Sequence, residues 1–180
     1  HEDAVVQFQS LKTARGATDP VIEENLGLSL LALKRFGEAA SSFERLVDQP
    51  DFQGRARYYL GLCDFEQGRF AQARGQFAQA AAKVQAGLPG VEPTAFWAAQ
   101  ASNDEKLEDW AGAKASWEKV LQLDPKSPKA KASLQRILPR ARAAERAAAL
   151  KVAAEKAAAA KRAAAAAQSA PSTAKPTKKK

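Results

Sequence analysis

The side chains that could do chemistry in this chain are few. Among 180 residues there is one histidine, His1, and one cysteine, Cys63, and methionine is absent. Nucleophilic, acid–base and metal-dependent catalysis each need several such groups at fixed spacing, so metal sites built on His or Cys are excluded by count. No glycine-rich run of the phosphate-cradling kind occurs. Carboxylates do come in pairs, at Glu23/Glu24, Asp104/Glu105 and Glu108/Asp109. Those pairs have the spacing of solvated helix ends and turns, and Glu38 and Asp109, near helix starts, complement the helix dipole. The sequence therefore predicts a chain that is not an enzyme and takes no cofactor. Cys63 follows Leu62 on a predicted helix face and reads as a small packed side chain rather than a reactive thiol; being alone, it allows no internal disulfide and leaves the redox compartment open.

One set of residues points to binding instead. Arg55, Tyr58, Leu62 and Phe65 step by three, four and three, the spacing of a single helix face. An arginine and a tyrosine with free polar ends suit a recognition surface, whereas Leu62 reads equally well as core.

The elements that must hold this stripe are announced by an internal echo. Gly27, Phe36, Ala39 and Phe43 are each followed 34 positions later by the same residue type, at Gly61, Phe70, Ala73 and Phe77. Leu26-Gly27 and Leu60-Gly61 fall within helical spacing, where glycine costs about 1 kcal/mol against alanine. Close approach of a neighbouring helix, where no Cβ will fit, is the physical reason to keep them. Phe36, Ala39 and Phe43 share one face of the next helix, so the small alanine admits the first helix while two rings fill the space beside it. A third copy has larger rings, with Trp97 and then Trp110, Ala113, Trp117, Val120 and Pro125, at an offset of 40. The six extra residues lie in Ala86–Pro93, whose two glycines and two prolines make a loop. Ala4, Phe8 and Leu11 repeat the spacing of Ala39, Phe43 and Leu46, a half copy ahead of the first full one.

This pattern resembles the tetratricopeptide repeat, a helix-turn-helix family of the same period, over residues 1–138. The resemblance implies an all-α fold: a right-handed α-solenoid of about three and a half repeats, with helices near 20–33 and 36–48, 52–67 and 70–84, 94–107 and 110–122. Two departures stand out. Gln100-Ala101 replaces Leu-Gly, and Asp64 and Asp104 stand where the family has an aromatic; pairing with Arg57, seven residues before it, is one way to satisfy Asp64. In this family the first helix of each pair lines the inner wall. The partner-binding residues so implied are Glu24, Leu28 and Leu31, then Arg55, Tyr58, Leu62 and Phe65, then Ser102, flanked by Ala98 and Glu105. One subclass clamps a terminal carboxylate with Lys and Asn; the matching places here hold Glu24 and Leu28, which disfavours that activity. A peptide or helix of a protein partner laid in the groove suits the lining better.

Beyond the repeats, Ser127-Pro128 has the chemistry of a helix start, and Leu134, Ile137 and Leu138 give that helix an apolar stripe able to cap the stack. Pro139 is expected to break or kink the chain before a long Ala-rich helix, an arm over 139–168 with only Leu150 and Val152 large and apolar. Disorder is expected over 169–180. Residues 1–139 carry 17 Lys/Arg against 18 Asp/Glu, net −1, and residues 140–180 carry 11 against 2, net +9. Any pull on an anionic polymer or nucleic acid must therefore act through the end of the chain, where Lys175, Lys178, Lys179 and Lys180 either solubilise a spacer or contact phosphates nonspecifically. No run is long and apolar enough to span a membrane. The expectation is a monomer. The Ala/Lys-rich style reads as bacterial, and a start at His1, in mid-repeat, fits a processed cell-envelope form or an excised cytoplasmic piece.

Overall fold

A computed structural model describes residues 1–15 and 19–169. Among these described residues eight helices follow one another: α1 (Glu2–Arg15), α2 (Pro20–Ala32), α3 (Phe36–Glu44), α4 (Gln53–Glu66), α5 (Phe70–Gln85), α6 (Pro93–Lys106), α7 (Trp110–Leu123) and α8 (Pro128–Ser169). There is no strand among the described residues. The fold is all-α, and successive helices pack on their neighbours from α1 through to α7, with α4 also touching α6.

The pairs lock as the echo requires. A Cβ built on Gly27 would lie 2.8 Å from the Phe43 ring, and one on Gly61 would lie 2.5 Å from the Phe77 ring. Ala39, Phe43, Ala73 and Phe77 are fully buried, as are Ala113 and Trp117 in the third pair. The turn inside each pair is also repeated. Lys34, Gly68 and Glu108 all take positive φ, at 59°, 74° and 56°. Around each, one amide reaches back five residues (Arg35 to Leu30, Arg69 to Asp64, Asp109 to Asp104) and the preceding amide reaches back three. That is the Schellman arrangement, which satisfies the last carbonyls of the helix and turns the chain.

Two core clusters result. The first gathers Val5, Leu26, Leu30, Phe43, Leu46 and Leu60; the second gathers Tyr58, Phe77, Phe96, Trp97, Trp117 and Ile137. Tyr59 packs against both, with its ring stacked on Phe43 at 5.0 Å and tilted on Tyr58 at 5.1 Å. Cys63 is fully buried, and desolvation pushes its thiol up to about 12.

Some expected boundaries move. α3 stops at Glu44, and residues 45–48 continue as tight turns in which the amides of Leu46 and Val47 reach back only three residues, which still buries Leu46. In α1 the buried residue is Val5, while Leu11 stays 42% exposed because no described helix lies over that side. α8 starts as expected, with Ser127 Oγ accepting from the Ala130 amide at 3.4 Å, but it runs through Pro139 instead of ending there. Pro139 withdraws a donor from the Gln135 carbonyl; both residues are exposed, so water can take its place. The chain divides after Ala141, whose side chain is buried in the first unit, His1–Ala141. The second unit begins at Arg142 and is described to Ser169 as helix, with Leu150 and Val152 exposed. The basic end, with Lys175, Lys178, Lys179 and Lys180, and the disorder expected beyond Ser169 lie outside the described residues. No described helix is long and apolar enough to cross a membrane.

Candidate functional site

The stripe on α4 divides into two halves with different fates. Its N-terminal half lies beneath the loop between α5 and α6. A Cβ on Gly54 would meet Leu88 at 3.0 Å, a Cβ on Gly90 would meet Arg55 Cδ at 3.3 Å, and the Tyr59 hydroxyl donates to the Gly90 carbonyl at 3.3 Å. The six extra residues thus form a loop, and the loop packs on α4.

Tyr58 is the residue most altered by this. It is only 8% exposed, with Phe77 and Phe96 rings at 6.4 and 5.8 Å and Val91 in the same cluster. Burial pushes its phenol up to about 12. The expected free polar end is absent, and the ring serves the core.

Arg55 and Glu24 were expected as separate wall residues, and the fold joins them. Arg55 donates through Nε and Nη2 to the two Glu24 oxygens, the second at 3.1 Å, and its guanidinium lies 4.8 Å from the centre of the Phe52 ring. Both side chains are less than one-fifth exposed, so this bidentate pair ties α2 to α4 and neutralises both charges.

The apolar candidates are half-buried. Leu28 and Leu31 pack against the first core and show part of their surface; Leu62 and Phe65 do the same on the second, Phe65 lying edge-on to Phe70 at 5.6 Å. Ser102 spends its hydroxyl on the Ala98 carbonyl at 2.8 Å. Phe65 and Ser102 meet at one open cavity of about 450 Å³, whose other walls are Glu105, Trp110, Trp117 and the start of α8. Lys129, Arg136 and Arg140 line that cavity and were missed from the sequence, where only the apolar face of the capping helix was read. The signal was present: Lys129, Ser133, Arg136 and Arg140 step by four, three and four.

The two carboxylates in aromatic places are each matched, though not as expected. Asp64 takes two bonds from Arg69, at 2.9 and 2.7 Å, while Arg57 donates to Gln76. The Schellman turn explains the switch, since it folds Arg69 back over the helix end that carries Asp64. Asp104, 4% exposed, faces Arg74 at 3.4 Å, but desolvation outweighs that attraction and pushes its carboxyl up to about 6. No cluster of potential metal ligands exists among the described residues.

Comparison with known proteins agrees with this geometry. A tetratricopeptide repeat family model matches residues 24–89. The structure of the first TPR of Spaghetti (RPAP3) bound to HSP90 peptide SRMEEVD superposes with a TM-score of 0.59 at 18% identity, covering 67% of this chain and 90% of that one. The first TPR domain of the human RPAP3 protein, solved by NMR, gives 0.57 at 19% identity, covering 71% and 95%. At such identities the likeness is one of fold. No curated protein matches the chain. The matched segment, the 34-residue period and the rings nested against Gly27 and Gly61 agree that residues 24–89 are built as tetratricopeptide repeats.

Proposed function

We propose that the chain is a noncatalytic protein–protein interaction scaffold that holds a segment of a partner protein along the first helices of its repeats. The observation that carries this reading is the row of half-buried apolar side chains, Leu28, Leu31, Leu62 and Phe65, beside a charge pair that is already neutralised. Apolar surface of this kind is stabilised by covering it, and a helix or extended peptide is the shape that follows a row along successive helices. The Spaghetti domain is bound to an HSP90 peptide ending in EEVD. Here Glu24 and Leu28 hold the places that the resemblance assigns to carboxylate-clamping Lys and Asn, and Glu24 is occupied by Arg55. A terminal carboxylate is therefore not the proposed ligand.

The test is site-directed photo-crosslinking. A crosslinker at Leu62 should capture the partner that one at the exposed Ala78 on α5 does not, and Leu62→Asp should abolish capture while the thermal midpoint moves little. Equal capture at both positions, or a collapse of stability with Leu62→Asp, removes the reading. Tyr58→Ala serves as the contrast: burial predicts a stability loss of about 3 kcal/mol or more.

A second reading rests on the +9 of residues 140–180, and makes the basic end a nonspecific tether for an anionic polymer. Duplex DNA binding by the full chain, compared with a version ending at Ala141 across a salt series, decides it. Loss of affinity and of salt slope on truncation is the expected result; unchanged binding ends it.

A further inference from the structure

We infer that the cavity between α6, α7 and the first turns of α8 is a recognition site for internal acidic side chains of the partner segment. This rests on the proposed function and adds the chemistry of the ligand to it. Four cations line the cavity, Lys106, Lys129, Arg136 and Arg140, and among the described lining residues the one carboxylate is Glu105.

Glu105 is already engaged. Its Oε1 accepts from the Trp117 indole at 2.8 Å, its Oε2 accepts from Arg136 Nη2 at 2.6 Å, and it is 13% exposed. It therefore acts as a post for Arg136, whose side chain is 58% exposed and has guanidinium donors beyond the one given to Glu105. Arg140 and Lys129 are held differently. The Arg140 guanidinium lies 4.8 Å from the centre of the Trp110 ring and the Lys129 ammonium 5.7 Å from that of Trp117. A ring face orients a cation without cancelling its charge, so both keep their attraction for an anion.

The result is an excess of positive charge on an aromatic floor, in a unit whose overall charge is close to balanced. A peptide with glutamate or aspartate among apolar residues complements both features: its carboxylates meet Arg136, Arg140 and Lys129, and its apolar groups continue onto Phe65 and Leu62. Arg136 and Arg140 are one turn apart on α8, so they favour planar carboxylates presented in bidentate fashion.

The three tryptophans give a readout with an internal control. Trp110 and Trp117 line the cavity, whereas Trp97 faces a separate one beside Val84, Pro93 and Leu123. The probe is a blocked peptide of glutamate, leucine and alanine, amidated at its C-terminus, with a glutamine counterpart, each titrated into the full chain while indole N–H signals are followed by NMR. The glutamate peptide should shift the Trp110 and Trp117 signals and leave Trp97 in place, with affinity at least about tenfold above the glutamine peptide and falling with salt. Arg140→Glu combined with Lys129→Glu should remove the shift while the folded spectrum persists; Arg140→Gln, which spares the fold more gently, should weaken it. Equal response to both peptides, no response at the two indoles, binding that survives Arg140→Gln unchanged, or an oligonucleotide of matched charge that shifts the same indoles as tightly would each overturn the inference. The crosslink at Leu62 is read separately, so its persistence alongside a silent cavity would leave the groove reading standing and the acidic ligand refuted.

Discussion

Gly61 and Gly75 sit in consecutive helices with opposite surroundings, and the contrast sets the price of the echo. A methyl at Gly61 would strike the Phe77 ring, while one at Gly75 meets nothing within 4 Å. Helix propensity favours alanine by about 1 kcal/mol at either place, and overpacking of a tight core costs about 1–3 kcal/mol. Gly61→Ala should therefore destabilise by about 1–2 kcal/mol and Gly75→Ala should stabilise by about 0.5–1 kcal/mol, both read from urea unfolding midpoints. Asp104 gives a pH signature. Its carboxyl titrates near 6 in the fold against an ordinary 3.8, because burial disfavours the charged form more than Arg74 favours it. The folded chain thus binds this proton more tightly than the unfolded one; the associated stability is full below about pH 4 and is lost as pH rises through about 6. The difference in thermal midpoint between Asp104→Asn and the parent should move in favour of the variant across that interval. A flat difference would show that the attraction of Arg74 offsets the burial of the carboxyl instead.

At the scale of elements, the repeated left-handed turn is the most economical device in the chain. Gly68 adopts it freely, whereas Lys34 and Glu108 carry a Cβ in a region that costs L-residues about 1–2 kcal/mol. Glu108→Gly should stabilise by about 0.5–1 kcal/mol after the entropy of the unfolded chain is counted, measurable as a higher denaturation midpoint. Much of this level could be read in advance. Leu-Gly pairs, Phe-Ala-Phe faces and the Ser127-Pro128 start gave six helices, α2 to α7, and the head of α8, to within a few residues, because each is a local signal repeated in register. What escaped was long-range. Tyr58 has the spacing of a wall residue, and the fold gathers the Phe77 and Phe96 rings of α5 and α6 and Val91 of the loop between them into one cluster with it. Arg69, not Arg57, meets Asp64 because a turn, not helix periodicity, brings it there. The helix persisted through Pro139 because its environment there is solvent, which periodicity does not report.

Across the whole molecule, charge is sorted by position along the chain. The repeat-bearing residues 1–139 are nearly neutral in total yet concentrate cations on one face of α8, and residues 140–180 are strongly basic. The first arrangement was invisible to a count because Glu105 and the tryptophans, which give the cations their local meaning, come from α6 and α7. Tyr59 carries a different consequence. Among the described residues it is the aromatic side chain that touches both core clusters, stacked on Phe43 and tilted against Tyr58. In a row of nearest-neighbour units, cooperativity is only as strong as the weakest junction. Tyr59→Ala should let the amides of α1–α3 exchange with solvent hydrogen well before those of α5–α7, turning one melting event into two; the parent, with its ring in place, transmits the opening of either half to the other.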